Sequence, residues 1–150
     1  MKVISARFLV LSFCGLCFLF CNTSCKKEKI IPDNFLEQLF ENNILNKDYI
    51  VELATDSGVD ITSDYTGYTF ILLKTDLLHG PLQAKKNNQV YEGAWSSNSD
   101  YSKLIITLPN TTEEFVFLNR EWRFTSKNIP KLELAPWGSP APIVLHMLRQ

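Results

Sequence analysis

The residues able to do chemistry are few and unevenly placed. All four cysteines, Cys14, Cys17, Cys21 and Cys25, fall in the first 25 residues, and the only histidines are His79 and His146. Zinc sites draw on ligands at short paired spacings. His79 stands alone in "LLHGPL", and His146 alternates with Leu145 and Met147 on a stretch that reads as a strand. No metal and no cofactor is expected on these grounds. Asp56, Asp60 and Asp64 recur every fourth residue in "TDSGVDITSD". Calcium loops instead place oxygen ligands at alternate positions and close with a bidentate Glu, so a solvated loop is the expectation. No Gly-x-Ser-x-Gly is present, and the sequence pairs no serine with a histidine. A glycosidase-like carboxylate pair is the one enzymatic reading left open, and the chain is not expected to be an enzyme.

The cysteines carry different information. Lys2 and Arg7 precede Phe8–Cys21, a run of 14 residues without a charge. A membrane span needs roughly 20 apolar residues, whereas a basic start and a shorter apolar run fit a secretory signal. Cys14, Cys17 and Cys21 lie inside that run as small hydrophobes. Cys25 follows Asn22-Thr23-Ser24 and precedes Lys26-Lys27. A signal peptidase needs small side chains before its cut; Thr23 and Ser24 supply them, and Phe20 and Leu16, before Cys21 and Cys17, do not.

This arrangement resembles the lipoprotein signal of the Bacteroidota, a hydrophobic run ending in a small residue, Cys and often Lys-Lys. The resemblance implies that residues 1–24 are a lipoprotein signal peptide. Cys25 would then be the lipidation site and first mature residue, and residues 25–32 a lipidated tether, with the membrane as a partner through that lipid. Each buried CH₂ contributes about 0.8 kcal/mol, so more than one acyl chain anchors stably. It implies a lipid-anchored place in the cell envelope, at the outer membrane. "CKKEK" has one acid among three lysines, whereas surface-exported lipoproteins often show several acids after the cysteine, which points to the periplasmic face.

Without Lys2 and Arg7 the chain carries 13 basic against 16 acidic residues, a balance that argues against nucleic acid. No disulfide can form once Cys25 is acylated, so the domain must rely on its core. Residues 33–150 read as one domain, expected to be monomeric. "DNFLEQLFENN" (33–43) has Leu36, Leu39 and Phe40 at helical spacing, with Asp33 placed to cap it.

Eight stretches then show strand patterns: 48–53, 67–74, 82–86, 90–96, 102–108, 121–125, 131–135 and 142–148. Tyr49, Val51 and Leu53 share one face of the first, and Ile143, Leu145 and Met147 one face of the last. Asn87-Asn88 suits a hairpin turn. Short alternating strands at this spacing predict an antiparallel barrel or sandwich. Thr111 and Glu114 have capping-box spacing, which predicts a short helix over 112–118 that covers an open end of the sheet with Phe115 and Leu118.

"DSGVDITSDYTGYTF" (56–70), "YEGAWS" (91–96) and "LNREWRF" (118–124) resemble the small lipocalin-like lipoproteins of Bacteroidota. The matching positions are Gly58, Asp60 and Thr62, then Gly67 to Phe70, then Gly93 and Trp95, then Leu118 and Trp122. The tryptophan common in their first strand is replaced here by Tyr49, and "APWGSPAP" (135–142) is richer in proline. The resemblance implies a mainly β, lipocalin-like antiparallel barrel of about eight strands, with a short N-terminal helix and one short helical insertion. A fold of this kind hosts many functions.

Tyr68, Phe70, Trp95, Trp122 and Phe124 either line a pocket in the barrel mouth or fill the interior, and eight strands leave room for side chains alone; the filled interior is favoured. Trp137, in the proline-rich loop, is a candidate loop contact. The leading functional expectation is a binding module for a small apolar or amphipathic ligand. The alternative is an interaction or inhibitor protein that docks an envelope protein through its loops, and an enzyme comes third. A continuous apolar cavity favours the ligand; a filled barrel with a protruding loop favours the protein partner.

Overall fold

The computed structural model describes residues 34–150. The expected signal peptide (1–24), the expected tether with Cys25 (25–32) and Asp33 lie outside these residues. Helix α1 (Phe35–Asn43) leads into strands β1 (Asp48–Asp56), β2 (Val59–Asp60), β3 (Thr69–Leu72), β4 (His79–Lys86) and β5 (Gln89–Ser97). Then come β6 (Lys103–Thr107), helix α2 (Glu113–Leu118), β7 (Glu121–Ser126), β8 (Lys131–Pro136) and β9 (Val144–Arg149). A 3₁₀ turn at Thr62–Tyr65 separates β2 from β3.

The strands pair antiparallel in the order β1-β3-β4-β5-β6-β7-β8-β9, and β9 returns to β1. This closes an eight-stranded antiparallel barrel, with β2 a two-residue appendage on β1. Closure leaves no free edge. Asn87 and Asn88 both adopt positive φ and join β4 to β5, the conformation a two-residue hairpin demands.

Period-2 alternation places Tyr68, Phe70 and Leu72, and likewise Leu104, Ile106 and Leu108, in the interior. The first strand departs from the expected phase. Val51 pairs with Met147 and Leu53 with His146, so Glu52 is the extra residue of a β-bulge. Beyond it the faces exchange: Ala54 is buried and Leu53 is turned outward.

The barrel has two plugged ends. At one, α1 inserts Phe40, whose ring lies 4.9 Å from Tyr101, 5.8 Å from Trp95 and 6.3 Å from Phe124. The helix ends at Asn43, the turn after it reaches positive φ at Asn46, and the Tyr49 hydroxyl donates to the carbonyl of Asn43 at 2.9 Å. Tyr49 thus holds a helix end. Burial of α1 is narrower than its apolar spacing predicts: Phe40, Ile44 and Leu45 are buried, Leu39 is half-buried and Leu36 is exposed.

At the other end α2 inserts Phe115, Phe117 and Leu118. Thr112 is its N-cap residue and makes no side-chain cap bond, so the capping box does not form. Tertiary contacts hold the helix instead. Tyr65 Oη donates to the carbonyl of Glu114 at 2.7 Å, and Trp122 Nε1 to that of Leu118 at 3.0 Å. Asn119 closes the loop before the helix, accepting from Leu108 N–H at 2.6 Å and donating to the Leu108 carbonyl at 2.9 Å.

Candidate functional site

The five interior aromatics divide between the two ends. Trp95 and Phe124 join the α1 cluster. Tyr68 and Phe70 stack at 5.8 Å in the α2 cluster, and Trp122 lies 5.5 Å from Phe117. Tyr68, Phe70, Trp95 and Trp122 are buried and Phe124 is half-buried. They belong to one continuous apolar core that holds no buried polar or charged side chain among the described residues. These rings fill the barrel.

A concave site lies at the α2 end of the barrel. An open cleft of about 550 Å³ is lined by Asp56, Ile61, Asp64, Tyr65, Glu113, Glu114, Val116, Phe117 and Arg120. Its residues come from the tip of β1, the 3₁₀ turn, α2 and the turn before β7. Thr62 shapes the first wall: its Oγ1 accepts the Ala54 N–H at 2.9 Å, and its own N–H donates to Asp60 Oδ1 at 2.9 Å. Gly58, Asp60 and Thr62 thereby act as a turn-forming unit. Ile61, Val116 and Phe117 give the cleft an apolar surface, and Val116 is 57 % exposed.

Four carboxylates and one guanidinium border it. Arg120 lies over Phe117, 4.8 Å from the ring centroid, and over Trp122 at 5.2 Å. Among the described residues the ion pairs are Lys74–Glu41, His79–Asp76, Lys103–Glu121 and Lys131–Glu52, so none of the cleft's charges is paired. Burial pushes the Tyr65 phenol well above its usual range; Asp64, Glu114 and Asp56 add to this, and Arg120 opposes it. The field at the cleft is therefore acidic. Asp60 does not join its lining, and among the described residues no cluster of three His, Cys, Asp or Glu could hold a metal ion.

The proline-rich loop borders the same end. The Trp137 N–H donates to the Glu121 carbonyl at 2.9 Å, and the Gly58 N–H to the Pro142 carbonyl at 3.3 Å. These two bonds tie it beside Arg120 and Asp56. The Trp137 ring is 40 % exposed, with Lys103 Nζ 4.4 Å from its centroid. His79 and His146 lie elsewhere: His79 pairs with Asp76 at 3.0 Å on the surface, and His146 is half-buried on β9. Asp76 also accepts from the N–H groups of Leu78 and His79, which holds its carboxyl below the usual range.

No family model, curated protein or solved structure matches this chain significantly.

One pH effect follows from the helix-holding tyrosines. Burial raises the phenols of both Tyr49 and Tyr65 above the ordinary value of about 10. A group with a raised folded pKa contributes stability that is complete below its unfolded pKa and lost as pH climbs toward the folded one. Stability should therefore fall above about pH 10, with phenolate absorbance and unfolding advancing together. Ionisation of all tyrosines near pH 10 with the circular dichroism unchanged would contradict this placement.

Proposed function

We propose that the protein is a non-catalytic binding module of the cell envelope, a lipocalin-like lipoprotein anchored through acyl chains on Cys25. Its binding site is the cleft at the α2 end, and its occupant is a small amphipathic molecule bearing a positive charge. The cleft is the observation that carries this reading. Its volume of about 550 Å³ lies within the range of about 300–1,000 Å³ common for small-molecule sites, and the barrel interior is occupied by its own rings. The apolar wall of Ile61, Val116 and Phe117 receives the ligand's body, and the four carboxylates receive its cation.

β1 runs from beside α1, where the described chain begins, to Asp56 at the cleft. Its nine residues span about 30 Å, so the cleft lies at the end of the barrel opposite α1. The outer membrane, periplasmic face, remains the proposed address, with no role for nucleic acid.

Native mass spectrometry of the mature protein isolated from its cells tests the proposal. A bound cationic amphiphile that is lost in Val116→Lys is the expected result. The exposure of Val116 makes this substitution tolerable to the fold. A companion unaffected by Val116→Lys would place the site elsewhere. One observation favours a second reading, docking of an envelope protein: Trp137 stands exposed on a tied loop beside the cleft. Retention of a protein companion through Val116→Lys, with its loss in Trp137→Ala, would select that reading.

A further inference from the structure

At the α1 end the structure leaves apolar side chains that the core does not use. Phe35 is 42 % exposed and Leu36 48 %, both in the first turn of α1, and Leu78 is 39 % exposed in the loop after β3. That loop flanks α1: the Lys74 ammonium pairs with Glu41, and the Lys74 N–H donates to Asn46 Oδ1 at 3.0 Å. The barrel therefore presents three exposed apolar side chains where its chain enters. Folding alone does not require them, because Phe40, Ile44 and Leu45 already seal this end.

We infer that the α1 end rests on the leaflet holding the Cys25 acyl chains, with Phe35 and Leu36 inserted at the lipid interface. The inference deepens the anchoring reading proposed above and rests on it. The occupant follows from the chain's reach. Eight residues separate Cys25 from Asn34, and at 3.3–3.6 Å each they extend at most about 30 Å. They lead directly to the first turn of α1. Lys26, Lys27 and Lys29 stand against Glu28 in that stretch, and basic juxtamembrane residues are drawn to anionic headgroups. A helix that keeps one side on protein and offers aromatic and aliphatic residues on another suits the interface plane. The cleft would then face away from the bilayer, fixed in orientation rather than swinging on a loose tether.

Site-directed spin labelling of the acylated full-length product in phosphatidylglycerol-containing vesicles tests this. With Cys25 acylated, the mature chain has no other cysteine, so Leu36→Cys and Val59→Cys each take one label. Both parent side chains are exposed, and Val59 belongs to the opposite end. The label at 36 should show an oxygen-to-nickel-chelate accessibility ratio several-fold above that at 59. Equal, water-like ratios in protein that floats with the vesicles would overturn the inference and leave the anchor standing. A chain that takes up no acyl label and does not float, like Cys25→Ser, would remove both.

Discussion

Trp95→Ala and Trp122→Ala should each lower the unfolding free energy by about 3–5 kcal/mol, the range for large aromatics removed from cores. Typical stabilities are roughly 5–15 kcal/mol, so either change threatens the fold. Each indole has two roles. Its ring occupies one end of the barrel, Trp95 against Phe40 and Trp122 against Phe117. Its N–H satisfies a carbonyl at a point where the chain leaves a regular element: Leu73 at 2.7 Å, just after β3, and Leu118 at 3.0 Å, the last residue of α2. Truncation therefore opens a void at either site; at Trp95 it also removes the donor to the Leu73 carbonyl, whereas the Leu118 carbonyl keeps the Arg120 N–H at 2.8 Å. Trp137→Ala is the comparison. Its ring is partly in water and its visible attachment is the contact with Lys103, so about 0.5–1 kcal/mol is expected. Equilibrium denaturation of the three variants provides the check. A larger loss at Trp137 than at Trp95 would mean that the loop, not the barrel interior, carries the core.

Gly80→Ala and Gly93→Ala should be at least as damaging, although each adds a single methyl. Gly80 pairs with Trp95 across β4 and β5, and the missing side chain lets the indole lie over β4 and reach Leu73. A Cβ on Gly80 would stand 2.1 Å from the Leu73 carbonyl oxygen and 2.9 Å from the Trp95 indole nitrogen. On Gly93 it would stand 2.2 Å from the Thr107 carbonyl oxygen. In both cases the nearest obstacle is backbone and cannot rotate away. The cost should exceed the roughly 1–3 kcal/mol typical of an added methylene in a core. Gly58→Ala is the control for steric crowding, since nothing lies within 4 Å of its Cβ position and only its φ of +83° is at stake. Urea melts in which Gly80→Ala and Gly93→Ala match the parent would contradict the close approach.

Much of this fold is legible in the sequence because side-chain alternation is a local signal. Tyr68, Phe70 and Leu72 declare their face within five residues, and Asn87-Asn88 declares its turn within two. The glycine of "Gly-x-Trp" reads only as a motif; the carbonyl of Thr107 explains it. The offset at Glu52 is harder, because a bulge adds one residue without any residue type that demands it, and every later position on β1 changes face. Leu36 misleads for a related reason: helical spacing marks an apolar stripe without telling how far along the helix the barrel reaches.

The cleft was hidden more completely. Ile61 and Asp64 are some fifty residues from Val116 and Arg120 in sequence, and each looks ordinary in its own surroundings. The one local hint is α2 itself. "EEFVFL" buries Phe115, Phe117 and Leu118 and still presents an apolar Val116 on its outer side. A short helix with a hydrophobic residue turned away from its core has a second surface to explain.

The central claim is that binding occurs at this cleft and not within the barrel. Its most direct measurement is nuclear magnetic resonance titration of the protein with a short alkyltrimethylammonium below its micelle concentration, beside an alkyl sulfate of equal length. The account predicts saturable shifts at Ile61, Tyr65, Val116 and Phe117 with the cation, little response to the anion, and unchanged resonances from Leu82, Leu134 and Leu145 in the interior. Saturable shifts centred on those interior residues, or equal binding of cation and anion, would contradict it.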